Sequence, residues 1–174
     1  MVLPDPADRH PDLDTSSVEY APDFSTAGVL SWLRSAKMRD VLDFWNDVRQ
    51  FRRCPEFSTI DFASVPELAD WMILLERPVP GGECVFRTVG RKIVELSSLD
   101  ITGQPLSALP DPEYRRMFQA NCDAVTRAAM PLASRYCRVL QGRRVAFERL
   151  DLPLMLESGR VGGVLVGMHA VDGD

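Results

Sequence analysis

Two histidines, four cysteines and a set of arginines and carboxylates toward the C-terminus are the residues of this 174-residue chain with the most chemistry in them. A side-chain nucleophile needs a base within hydrogen-bond reach, and His169 is the only histidine beyond His10, so hydrolase chemistry lacks its parts. Cys54, Cys84, Cys122 and Cys137 are spaced 30, 38 and 15 residues apart with no Cys-x-x-Cys pair, which reads as reduced thiols packed as small hydrophobes rather than as a zinc site. No acidic pair has metal-site spacing, and no Gly-rich phosphate loop occurs. Glu148 and Asp151 would fall on opposite faces of a regular strand and make a poor acid/base couple. Haem would need a helix-borne axial ligand, whereas His169 sits in the last expected strand and reads as a surface or edge histidine. What remains is Arg87, Arg135, Tyr136, Arg138, Glu148 and Arg149, all on expected strands. An arginine turned inward there would have to meet Glu148 or an anionic ligand, because an unpaired buried charge is costly. The expectation is a small polar molecule bound by Arg87 and Tyr136, with Arg138 and Glu148 beside them, and with no catalytic residue, no metal ligand and no assigned cofactor.

The elements that must position these side chains follow from periodicity. Residues 1–25 carry Pro4, Pro6, Pro11 and Pro22 among acids and read as a flexible acidic arm. Ser25 or Thr26 starts a helix presenting Val29, Leu30, Trp32 and Leu33, and Met38, Val41, Leu42, Trp45 and Val48 then mark one apolar face of a helix running to about Arg52. Phe44 and Phe51 widen that face, so the segment 26–53 is read as amphipathic, with Leu33, Val41, Phe44, Trp45 and Val48 as a candidate dimer seam or as extra core. Pro55 stops the helix, and the main domain is taken as 54–174.

Within it, residues 71–76 and 84–89 are expected as a strand pair joined by Pro78-Val79-Pro80-Gly81-Gly82, followed by a short helix over 91–96 and a turn at Asp100-Ile101-Thr102-Gly103. Asp111-Pro112-Glu113 starts a helix to about Ala129, and strands follow near 133–140, 145–154 and 161–171. Five antiparallel strands with helices on one face make an α+β fold.

The net charge of −5 lies wholly in residues 1–25, where six acids face Arg9; the remainder holds 19 acids and 19 bases. A neutral body argues against nucleic acid as the main partner. No apolar run approaches the roughly 20 residues of a membrane span, and the start has no basic region followed by an apolar core, so a cytoplasmic protein is expected.

The order of two strands, helical crossing and three strands resembles the PAS domain superfamily, and most of all a bacterial branch in which one such domain forms nearly the whole protein. The match rests on Leu42-Asp43-Phe44-Trp45, Pro66-Glu67-Leu68, Phe86-Arg87-Thr88-Val89-Gly90, Asp100-Ile101-Thr102-Gly103 and Leu152-Pro153-Leu154, and covers about 42–171. The chain departs from that branch at Ser97-Ser98-Leu99, where a glycine or polar residue commonly precedes the turn. Asn121-Cys122 resembles the Asn-Cys pair at which light-sensing flavin PAS domains form a photoadduct, but there Arg-Phe-Leu-Gln follows on a short helix, whereas here Asp123-Ala124-Val125 follows within a long one, and Cys122 is read as core. The resemblance implies a non-catalytic sensory or regulatory module that binds a small molecule or a signalling partner protein, and the apolar stripe over Val29–Phe51 adds the expectation of a homodimer. A ligand-free interaction adaptor is the alternative, and a small cone-shaped isomerase or dehydratase, which would have little beyond Tyr136 and His169 to work with, is the third.

Overall fold

A computed structural model describes residues 12–171. Its centre is one antiparallel sheet of six strands: β1 (Leu13–Tyr20), β2 (Met72–Glu76), β3 (Val85–Val89), β4 (Leu132–Leu140), β5 (Arg143–Met155) and β6 (Val161–Val171), in the order β1-β4-β5-β6-β2-β3. The helices are α1 (Thr26–Trp32), α2 (Ala36–Arg49), α3 (Pro66–Ala69), α4 (Arg91–Ser97) and α5 (Pro112–Ala128). The α+β class and the five expected strands stand, and a sixth strand is added from the segment read as an arm. Leu13 pairs with Arg138 and Tyr20 with Ser134, so part of that segment is the edge of the sheet. Residues 1–11 of the arm lie outside the described residues.

The second difference is that helices cover both faces of the sheet. Met72, Ile73, Leu74 and Leu75 are all buried, as are Leu150, Leu152 and Leu154 on one side of β5 and Phe147 on the other. Strands apolar on both faces need cover on both. On the inner face lie α4, α5 and the 98–111 loop, packing Leu106, Tyr114, Phe118 and Val125 against Ile73, Phe86, Tyr136, Phe147, Val164 and Met168 of the sheet. On the outer face α1, α2 and the turns around Phe57 and Phe62 pack Val29, Leu33, Met38, Val41, Leu42 and Trp45 against Met72, Leu74, Leu150, Leu152 and Leu165.

The wide apolar stripe of α2 is thus explained within one chain. Leu33, Val41 and Trp45 of the candidate seam are buried against this sheet, Phe44 and Val48 are half-buried, and Phe51 is fully exposed. Each fully buried side chain of this kind contributes about 1.5–3 kcal/mol. Trp45 adds an indole N–H donated to the Pro153 carbonyl at 3.0 Å, which fixes α2 along β5. Close approach is allowed by Gly163 and Gly167: a Cβ on the first would stand 2.7 Å from Phe57, and on the second 3.0 Å from the Met38 sulfur.

Local chemistry sets the element ends. The Ser35 hydroxyl caps α2 by accepting from the Met38 N–H at 3.2 Å. Asp111 caps α5 through the Glu113 N–H at 3.0 Å, and its other oxygen accepts the Leu13 N–H at 2.9 Å. One carboxylate therefore begins the longest helix and anchors the added strand.

Candidate functional site

The inner face of β4 and β5 turns Tyr136, Arg138, Phe147, Arg149 and Asp151 toward α5, which answers with Tyr114, Phe118 and Asn121. Period-two geometry places the residues of each strand on this face. Arg149 and Asp151 are both at 0% exposure and form a forked pair, Nε to Oδ2 at 2.9 Å and Nη2 to Oδ1 at 2.7 Å. The guanidinium lies 3.7 Å above the Phe118 ring. Asn121 donates to Asp151 at 3.2 Å and accepts from the Tyr20 hydroxyl at 2.9 Å. This pair is satisfied on every side and ties β5, α5 and β1 together.

Beside it the polar groups are not all satisfied. Arg138, 7% exposed, stacks 3.6 Å above the Tyr114 ring, and its nearest carboxylate is Asp12 at 3.8 Å. Its buried Nε has no hydrogen-bond partner, and neither has the buried hydroxyl of Tyr136. Burial, together with Tyr114 nearby, pushes the Tyr136 phenol well above its ordinary value, so it stays a neutral donor. A cavity of about 40 Å³ adjoins, lined by Arg138 and Ser97 and otherwise by apolar side chains including Ile73, Phe86, Ile93, Leu99, Tyr114 and Met168. That is room for a few water-sized atoms, well short of the roughly 300 Å³ of an ordinary small-molecule pocket.

Of the four sequence-derived ligand residues, the structure brings together two, Tyr136 and Arg138. Arg87 alternates with buried Phe86, is exposed, and pairs with Glu76 at 2.7 Å on the neighbouring strand. Glu148 is fully buried on the outer face. It accepts the Ser35 N–H at 2.8 Å, the Arg34 N–H at 3.1 Å and the Arg135 Nε at 2.9 Å, gathering the start of α2 onto β5. His169 lies on that same face with its Nδ1 2.9 Å from the Ser35 hydroxyl and its ring edge-on to Trp71. Tyr114, Asn121 and Asp151 are the site residues that sequence reasoning missed, and Arg149 was singled out there without being placed at the site. The available signal was the same-face spacing of Phe147, Arg149 and Asp151 beside an apolar helix face.

Beyond the edge of α1 and α2 a groove of about 460 Å³ opens, lined by Arg34, Arg135, Tyr136, Cys137, Ala146 and Glu148 among others, so Tyr136 borders this groove rather than the small cavity. Among the described residues no cluster of three or more His, Cys, Asp or Glu could hold a metal ion, and no helix is long and apolar enough to cross a membrane.

Solved structures share the outline at low identity. One, described as "Flavin Analogue Sheds Light on Light-Oxygen-Voltage Domain Mechanism", is 13% identical over 64% of this chain and 87% of its own, with a TM-score of 0.48. The PAS domain of a protein from Colwellia psychrerythraea is 12% identical over 63% of this chain and 96% of its own, with a TM-score of 0.44. An RNA-binding light-oxygen-voltage receptor is 16% identical over 64% of this chain and 34% of its own, with a TM-score of 0.43. No curated protein matches the chain. The family model for the PAS domain matches residues 33–168, from just after α1 to β6, and the chain therefore belongs to the PAS domain family.

Proposed function

We propose that this protein is a non-catalytic sensory or regulatory PAS module whose input is a small polar molecule held between the sheet and α5, and whose output passes to a partner protein. The observation that carries the reading is Arg138: a buried cation at the rim of a cavity, with an Nε donor lacking any acceptor and a second lone donor, the Tyr136 hydroxyl, nearby. Buried polar groups are normally satisfied, and a small hydrogen-bond acceptor in the cavity would satisfy Arg138, which lines it, whereas Tyr136 does not. The ligand is a compact anion or carbonyl compound rather than a large cofactor, because the space is about 40 Å³.

Occupancy would reach the surface through α5 and α4, which line the cavity, and a ligand shifts their position only by its differential affinity for two arrangements. The outer-face groove is the surface offered to a signalling partner. A homodimer through α1 and α2 would rest on the surface still free there, Phe44, Val48, Leu30 and Phe51, since Leu33, Val41 and Trp45 serve the core. The adaptor reading is favoured by one observation, the smallness of the cavity. Native mass spectrometry of the freshly purified protein separates the two: a stoichiometric small adduct supports the sensor, and a bare mass with a specific co-purifying protein supports the adaptor.

A further inference from the structure

The wall of the cavity beside Arg138 divides into one charged end and an apolar remainder. Among the described residues its lining holds one charge, the Arg138 guanidinium, and no carboxylate. Ile73, Phe86, Ile101, Leu109, Phe118 and Met168, all of the inner core, make up most of the rest. The two other polar groups are already engaged. The Ser97 hydroxyl donates to the Ile93 carbonyl at 2.8 Å and accepts from the Leu99 N–H at 3.3 Å. The Tyr114 hydroxyl lies 3.5 Å from Arg149 Nη1 and 3.6 Å from the Met168 sulfur.

A ligand there has one group to pair with, at one end, and gains nothing from a second polar group. A dianion or a polyol would bury charge or hydroxyls against hydrocarbon at the cost of their desolvation. A neutral acceptor would leave the guanidinium short of countercharge: Arg138 is 7% exposed, its Nε has no acceptor, and the carboxylate that reaches it is the more exposed Asp12, 3.8 Å from Nη2. A carboxylate offers two oxygens to a guanidinium fork and carries a single charge. The space of about 40 Å³ limits what is attached to it to a short alkyl stub. Access lies on the α4 side, where the lining residues Val89, Ile93, Ser97 and Leu99 are all half-exposed. α4 is seven residues long, buries none of them fully and ends at Ser98 in a left-handed conformation (φ 54°). A wall held this lightly opens at lower cost than the sheet or α5.

We propose, resting on the reading of this cavity as the sensory site, that its ligand is a short-chain monocarboxylate of about two to four carbons. Its carboxylate sits on Arg138, with one oxygen accepting from Nε, and its alkyl end lies among Phe86, Ile101 and Met168. Chain length is then read by the volume and the single charge by the single arginine.

The test is methyl NMR of the full chain, exhaustively dialysed and titrated at constant ionic strength with sodium propionate, propionamide and inorganic phosphate in turn. Propionate should shift the Ile93 and Ile101 methyls saturably, and phosphate should leave them in place. Propionamide, which gives up the charge-assisted pair, should bind at least about tenfold more weakly. Arg138→Met should abolish the propionate shift, while Arg87→Met, at an exposed position of β3, should keep it. Saturable shifts from phosphate or propionamide with propionate inert would overturn the monocarboxylate and leave the cavity a binding site. Silence from all three would overturn it as well, and a bare native mass would then remove the site with it. The comparison of propionate with propionamide on the unmutated chain decides the charge even if Arg138→Met fails to fold.

Discussion

Each face of the sheet buries a carboxylate completely, and the two are handled differently. On the outer face Glu148 is met by two backbone N–H groups and Arg135, while Cys137, Ala146 and the rest of that end stay open to solvent. On the inner face Asp151 is met by Arg149 and Asn121, but the same closed interior also holds Arg138 and Tyr136 with polar atoms that meet nothing. The outer arrangement is complete and fastens the N-terminal helices to the sheet. The inner one is complete at Asp151 and incomplete at Arg138, and that incompleteness is what the proposed ligand would fill.

Substitutions rank the two faces. Asp151→Ala strands the Arg149 charge in the core and should cost about 3–5 kcal/mol in urea unfolding, whereas Arg149→Met with Asp151→Leu should recover most of that loss. Glu148→Gln keeps an acceptor for α2 but gives up the charge, with an expected cost of about 2 kcal/mol. If the two costs came out in the reverse order, the outer carboxylate would be the one that organises the fold.

Arg138→Met should change stability by only about 1 kcal/mol, because it loses a stacking contact and a long pair with half-buried Asp12. A cost matching that of Asp151→Ala would make Arg138 a structural cation and remove the case for a ligand. Tyr136→Phe should be close to neutral at pH 7, since no partner is lost. Its effect belongs at high pH. Burial raises the Tyr136 phenol above its unfolded value, so the unfolded chain ionises first; the stability this gives is whole below about pH 10 and is lost as pH rises beyond. Tyr136→Phe should therefore flatten the alkaline fall of Tm, and an unchanged alkaline arm would show that the phenol is not buried.

Much of this comparison was legible in the residues. Asp111-Pro112 announced α5, and the β-branched and alternating runs placed β2 to β6, because these are local signals. β1 was not legible: Leu13 finds its partner at Arg138, and its segment Leu-Asp-Thr-Ser-Ser-Val-Glu-Tyr buries only Leu13 fully. The outer cover was half legible, since the apolar stripe of α2 was plain but which surface it covered depends on β5 and β6, more than 100 residues away. At the site, period two separated Glu148 from Asp151, while Tyr136 and Arg138 were named only as members of one polar set on the strands. It did not say which face of β3 and β5 was the interior, so Arg87 and Glu148 were grouped with a cavity they do not reach.

The most direct measurement is native mass spectrometry of the protein as purified, run in parallel on the unmutated chain, Arg138→Met and Glu148→Gln. The account predicts one small polar adduct per chain that survives Glu148→Gln and is lost in Arg138→Met. A bare mass for the unmutated chain, or an adduct kept by Arg138→Met, would contradict it.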